Sequence, residues 1–302
     1  MRIMTQVSDF VVNLAFRSVL GTARALPYAQ RVAFFGWVVS RVAAPLAGYN
    51  RRIRENLAYV FPDLPEAEVR RICREVTDNA GRTLAEFYSP AAFRERMART
   101  PLEGPGLEPI LAAHRDGRPA ILVSGHFGNY QAARAALAAR GIHTAGVYRP
   151  MNNRWFNDHY VAVTRAVSDA PLFARDKRGM AGLLRHLRAG GMVGMLIDQY
   201  FSTGETLDFL GKPAPTPTSA AELALRHDAL LVPVYGTRQP DGLSFRIEFE
   251  APVPHTDPRT MTQALNDSLA RRVQAHMGQW LWIHRRWKPE YQRPTAAATT
   301  GP

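Results

Sequence analysis

Residues 120–131, AILVSGHFGNYQ, constrain this chain more than any other stretch. Ile121, Leu122 and Val123 form an apolar run that stops at Ser124 and Gly125, and His126 follows directly before Phe127, Gly128 and Asn129. An apolar run broken by glycine reads as a strand closing in a tight turn. The continuation, YQAARAALAAR, is rich in strong helix formers, so the turn is expected to open a helix with Asn129 near its cap. In an open α/β sheet, ligands gather at the carboxyl ends of strands and the first turns after them. His126 is therefore an ionisable imidazole at the natural site position. A capping or packing histidine is the plain alternative. The glycines on either side of the His–Phe pair favour a backbone that makes room for a ligand.

The rest of the chain repeats the strand–helix alternation. IHTAGVYRP reads as a strand, MAGLLRHLRAGG as a helix, MVGMLIDQ as a strand, SAAELALRH as a helix and ALLVPVYG as a strand. This is an α/β fold, a largely parallel or mixed central sheet flanked by helices. Asp198 and Gln199 end the MVGMLI strand, so their side chains are expected at the same rim as His126. A helix is expected over residues 66–89, with Glu86 near its end at a solvent-facing or helix-pairing position. LSFRIEFE alternates as a half-exposed strand, and MTQALNDSLARRVQAH forms a late helix.

Charge narrows the partners. The chain carries 38 Lys and Arg against 26 Asp and Glu, a formal net charge of +12, which implies an anionic partner. Paired Cys/His finger ligands, a Lys- and Arg-rich tail and an aromatic RNA-binding strand are all missing, so nucleic acid falls behind a membrane surface or an acidic substrate. In residues 1–60, Arg2, Arg17, Arg24, Arg31, Arg41, Arg51, Arg52 and Arg54 face only Asp9 and Glu55, and this surplus is half of the whole net charge. No uncharged apolar run there approaches the ~20 residues needed to cross a bilayer. Pro27 divides the region into two helices rather than one. Basic amphipathic N-terminal helices in a lipid interface, with arginines toward headgroups and Phe34, Phe35 and Trp37 toward acyl chains, account for charge and aromatics together. A basic α-hairpin packed on the domain is the alternative. A cleavable signal peptide fits poorly, because arginines interrupt the apolar region. The expected organisation is a membrane-interface helical region over 1–48, a catalytic domain over 49–295 and a flexible tail over 296–302. The single cysteine, Cys73, excludes an internal disulfide and sits in a helical pattern as an inert thiol.

The chemistry open to such a chain is limited. His126 is placed to take a proton from a hydroxyl or thiol, and no motif-grade serine or cysteine nucleophile accompanies it. Direct transfer to an acceptor hydroxyl is more economical than a covalent intermediate. GHFGN has neither the three-glycine spacing of a dinucleotide loop nor the GK[ST] ending of an ATP loop, and no cofactor or metal is expected. Arg149, Arg165, Arg175, Lys177 and Arg178 follow strands or turns and could meet phosphate or thioester oxygens, or simply be solvated.

GHFGNYQ at 125–131, VYRPMNN at 147–153, GGMVGMLIDQ at 190–199, FLGKPAPTPTSAAELA at 209–224 and QWLWIHRRWK at 279–288 together resemble the late acyltransferases of lipid A biosynthesis, which are lysophospholipid-acyltransferase-like. RENLAYVFPDLP at 54–65 resembles the same family's N-terminal region. The resemblance implies a glycerolipid-acyltransferase-like fold on the cytoplasmic face of the inner membrane. It implies transfer of an acyl chain from acyl carrier protein to a hydroxyacyl chain of a Kdo-bearing lipid A precursor. It makes His126 the general base, Arg165 a further catalytic residue, and Arg149, Asn129, Asn153, Asp198 and Gln199 substrate-binding residues. The family pattern is His, four residues, then Asp or Glu, and here that last position is Gln131. A glutamine can accept the imidazole N–H but brings no charge. Gln131 therefore points to a weakened or engineered variant, or to a site where Asp198 or Glu86 supplies the acid. Two alternatives stay open: an acyltransferase for another membrane glycolipid or ornithine lipid, and a catalytically inactive lipid-binding homologue.

Overall fold

A computed structural model of the protein describes residues 25–151 and 154–288, with Gly21 before them. The first basic segment through Arg17 and Arg24, Asn153 and the 296–302 tail lie outside the described residues.

The apolar runs become one mixed seven-stranded sheet. In chain order its strands are β1 (Leu102–Glu103), β2 (Ala120–Ser124), β3 (Thr144–Tyr148), β4 (Leu172–Ala174), β5 (Met192–Leu196), β8 (Leu230–Arg238) and β9 (Phe245–Phe249). Across the sheet the order is β1-β9-β8-β2-β5-β3-β4, and only the β8–β9 pair is antiparallel. Two further strands, β6 (Glu205–Phe209) and β7 (Lys212–Thr216), form a separate hairpin that turns through Leu210 and Gly211, both at positive φ. This hairpin was not legible from FLGKPAPTPTS, because prolines argue against a strand. Pro213 and Pro215 are two apart, so both missing N–H groups fall on the edge that faces away from β6, where no further strand pairs among the described residues.

Helices cover both faces, as an almost wholly parallel sheet requires. On one face α4 (Pro90–Arg99), α5 (Leu107–Arg115), α6 (Ala132–Ala138) and α7 (Arg154–Ser168) pack on Leu122, Met192 and Val232. On the other, α8 (Lys177–Arg188), α9 (Ser219–His227) and α10 (Pro258–Ala275) pack on Ile121, Val123 and Val193. The central strand β2 is buried at every position, which is why it reads as an unbroken apolar run rather than an alternation.

The N-terminal helices are α1 (Tyr28–Val38), α2 (Tyr49–Val60) and the long α3 (Glu66–Phe87). Pro27 starts α1, as its missing N–H permits. Pro45 cannot donate one turn back, and the chain passes through a π-helical turn at Val39–Ala43 before Gly48, at φ 68°, redirects it into α2. Phe34 and Trp37 are 42% and 57% exposed and Leu46 is 84% exposed, in keeping with an interfacial face. Phe35 departs from the expectation: it is buried with Val32 against Ala85 and Phe87 of α3, because successive helical residues point 100° apart and cannot share one face. Among the described residues no single helix is long and apolar enough to cross a membrane. The pair Tyr28–Leu46 and Tyr49–Val60, bent by 84°, reaches that length and composition only together.

Candidate active site

Sheet register brings the site together. β2 and β5 are parallel neighbours with Ser124 opposite Leu196, so His126 and Asp198, each two residues beyond, emerge side by side. His126 Nδ1 lies 2.8 Å from Asp198 Oδ1, and the His126 backbone N–H donates to Asp198 Oδ2 at 2.7 Å. Trp280 Nε1 donates to the same Oδ2 at 2.8 Å. Both oxygens of Asp198 are thus hydrogen-bonded at 1% exposure. Burial alone would raise its carboxyl, but the charge of His126, its two hydrogen bonds and nearby His284 win, holding the acid well below the usual carboxylate range. An ionised acid on Nδ1 fixes the imidazole tautomer with Nε2 free to accept a proton.

The glycines around His126 serve the backbone more than a ligand. A Cβ on Gly125 would stand 3.0 Å from Asp198 Oδ2, and a Cβ on Gly128, which takes φ 53°, would stand 2.0 Å from the Gly236 carbonyl oxygen. Asn129 is wholly buried: its Oδ1 accepts from the Gln131 N–H and its Nδ2 donates to Glu86 Oε2, so α6 begins at Ala132 rather than at Asn129.

Gln131, expected at the acid position beside His126, is elsewhere. Its Oε1 accepts from Arg134 Nη1 at 2.7 Å, and the carboxylate on His126 is Asp198. The five-residue step from 126 to 131 crosses the tight turn and enters α6, which carries the side chain away. Glu86 also departs from its expected helix-surface setting. It is completely buried and accepts from Arg238 Nη1 and Nη2 of β8 at 2.5 and 2.7 Å. Arg149 and Arg165 are both exposed, and neither lines the cavity described below. Gln199 is exposed, with Nε2 3.3 Å from His284 Nε2.

A cavity of about 380 Å³ opens beside His126. Its walls are largely apolar, with Ala80, Leu84 and Phe87 from α3, Tyr160 from α7 and Leu281 from the C-terminal segment. Such a shape suits an alkyl chain whose head reaches a polar group at the mouth. The segment after α10 closes one side: Leu281 N–H donates to the His126 carbonyl, and the His284 ring meets the His126 ring edge-on at 4.8 Å between centroids. Burial, reinforced by repulsion from His126, pulls His284 down to about 4, so it is neutral beside His126 at neutral pH. Trp280, Leu281 and His284 were not singled out from the sequence. Their signal was the dense aromatic and basic run QWLWIHRRWK, which sets no partner 80 residues away.

Three curated proteins frame this geometry. The lipid A biosynthesis lauroyltransferase of Escherichia coli K12 is 26% identical over 244 residues, 78% of this chain and 78% of its own length. The phosphatidylinositol mannoside acyltransferases of two Mycobacterium tuberculosis strains, CDC 1551 and H37Rv, are each 25% identical over 289 residues, 94% of this chain and 90% of theirs. The profile of the bacterial lipid A biosynthesis acyltransferases matches residues 4–289, nearly the full length, and the chain belongs to that family of acyl-transferring enzymes.

Proposed function

We propose that this enzyme transfers a fatty acyl chain from the thioester of acyl carrier protein to a hydroxyl of a phosphorylated membrane glycolipid, with His126 as general base. The observation that carries the reading is one base at the mouth of one apolar cavity, its Nδ1 held by a buried, ionised Asp198. The alkyl chain lies in the cavity and the thioester carbonyl stands at its mouth. Nε2 of His126 takes the proton as the acceptor oxygen attacks the carbonyl carbon. The C–O bond forms, the C–S bond breaks, and the departing sulfur takes the proton back from His126. The acceptor class rests on the relatives: one is named for lipid A and two for a mannosylated phosphoinositide, at almost equal identity. A glycolipid is common to both names, and a Kdo-bearing lipid A precursor is one member of that class. The excess of arginines in residues 1–60 and the exposed Phe34, Trp37 and Leu46 support work at an anionic membrane surface, assigned here to the cytoplasmic face of the inner membrane.

The test is acyl transfer by the full-length protein in detergent, with acyl carrier protein thioesters and a panel of acceptors: a Kdo-bearing lipid A precursor, a phosphatidylinositol mannoside and an ornithine lipid. A new ester on a glycolipid supports the reading, and transfer to the ornithine lipid alone removes it. His126→Ala is expected to lower turnover by about 10²–10⁴ with unfolding and vesicle binding unchanged; parental turnover in that variant would take the base role from His126. Ala80→Phe is expected to shift donor preference toward shorter chains, read by mass spectrometry of products from mixed donors. An unchanged chain profile would place the alkyl chain outside this cavity.

A further inference from the structure

Arg134 is a buried cation whose hydrogen-bond partners carry no negative charge. It projects from α6 at 8% exposure and crosses the sheet where β3 and β5 carry glycine: a Cβ on Gly146 would stand 3.3 Å from its Nη2, and one on Gly194 3.2 Å from its Cδ. Nε and Nη2 donate to the Thr144 carbonyl at 3.1 and 2.8 Å, Nη2 also to Ser168 Oγ at 2.8 Å, and Nη1 to Gln131 Oε1. Burial lowers the guanidinium to about 10, which leaves it protonated at neutral pH. A buried charge without a counter-charge costs several kcal/mol after relaxation. The nearest side chain that could have carried a counter-charge, at position 131, is a glutamine.

A small cavity of about 50 Å³ adjoins the guanidinium, lined by Arg134, Gln131, Ser124, Tyr130 and Tyr160 among others. That is room for a small species, since about 10–15 Å³ of such space admits one water. Ser124 Oγ is buried there with no hydrogen-bond partner in the protein. Arg134 can only donate, so Gln131 must turn its oxygen to it and leave its amide N–H groups on the other side. Nη1 keeps a second hydrogen beyond the one given to Gln131. Arg134 and Ser124 therefore bring donors to a cavity whose other walls are largely apolar, and no carboxylate lines it among the described residues.

We propose that this cavity is a halide site, in which a chloride ion accepts from Ser124 Oγ and Arg134 Nη1 and supplies the negative charge that Gln131 lacks. The site lies one side chain from the base, since the Tyr130 ring that lines it also meets the His126 ring at 5.2 Å.

Thermal unfolding of the full-length protein in detergent tests this, with sodium chloride, sodium bromide and sodium gluconate compared at constant ionic strength. Chloride and bromide are expected to raise Tm saturably while gluconate does not, because it cannot enter 50 Å³. Gln131→Glu, which builds the counter-charge into the chain, is expected to reach at least the chloride-saturated Tm and to lose the halide response. Ser124→Ala is expected to raise the half-saturating chloride concentration at least tenfold. Equal Tm in chloride and gluconate, or a Gln131→Glu protein with the parental halide response, would mean that water fills the cavity and that surface arginines explain any salt effect. Should Gln131→Glu fail to fold, an unshifted chloride midpoint in Ser124→Ala overturns the assignment, as does a bromide-soaked crystal without an anomalous peak beside Arg134.

Discussion

Asp198→Asn is expected to fold and to lose about 10⁴ in acyl-transfer turnover, the scale measured for the equivalent acid-to-amide change in serine proteases. The amide can still accept from the His126 backbone N–H and from Trp280 Nε1, so the site keeps its shape. What it loses is the charge that holds Nδ1–H and offsets the imidazolium formed when the acceptor hydroxyl gives up its proton. Combining Asp198→Asn with His126→Ala is expected to cost little more than His126→Ala alone, because the two groups serve one step. Gln131→Glu is expected to change turnover by less than about threefold, well within what a positioning change gives, since its side chain lies on Arg134. The measurement is single-turnover transfer at matched detergent incorporation. A mild Asp198→Asn together with a large gain in Gln131→Glu would reverse the assignment and return the acid role to position 131. The pH dependence has a defined sign. The folded carboxyl of Asp198 titrates below its ordinary range, so its contribution to stability is complete above the unfolded value, about 4, and is lost as pH falls toward the folded one. The stability difference between parent and Asp198→Asn should therefore shrink on acidification.

The sequence places His126 and Asp198 at strand ends, and what it leaves undetermined follows a physical line. Strand and helix periods are local, and so is the rule that side chains at strand ends reach the site, which is why His126 and Asp198 were both in view. Which acid meets the base is not local. It depends on β2 lying beside β5, and the pairing of Ser124 with Leu196 spans 72 residues of chain. A motif in which the acid stands five residues after the histidine suggests a contact between them. Here the turn and the start of α6 send residue 131 under the sheet's other cover, where Arg134 waits. The C-terminal run was legible as a motif but not as a wall, because Trp280, Leu281 and His284 gain their roles only when the chain returns past β2. Phe35 shows the same limit on a smaller scale: composition marks an aromatic cluster, whereas the helical angle decides which ring meets lipid and which meets α3.

Glu86→Ala is expected to cost about 3–5 kcal/mol of stability, the scale for breaking a buried ion pair from one side. Glu86 holds three bonds that meet at one carboxylate: two from Arg238 and one from Asn129. Removing it leaves the Arg238 guanidinium, itself only 7% exposed, inside the protein against the Phe245 ring at 4.7 Å. Remaining donations to the Asn79 side chain, the Thr83 hydroxyl and the Gly242 carbonyl provide no negative charge. Replacing both partners, Glu86→Leu with Arg238→Met, should recover part of the loss, because an apolar pair of similar volume carries no charge desolvation cost, while Asn129 Nδ2 still loses its acceptor. Glu86→Gln should fall between the parent and Glu86→Ala, since it keeps an acceptor for Asn129 and discards the charge. The effect reaches the site through Asn129, whose Oδ1 bonds the Gln131 N–H just past the turn of His126. Near its lowered melting temperature Glu86→Ala should lose turnover, while at low temperature its Michaelis constant for the thioester should stay close to the parent's. Urea unfolding followed by tryptophan fluorescence reads the stability series. A midpoint shift worth less than about 1 kcal/mol in Glu86→Ala, the scale of an exposed pair, would show that this carboxylate is not the counter-charge that keeps Arg238 buried.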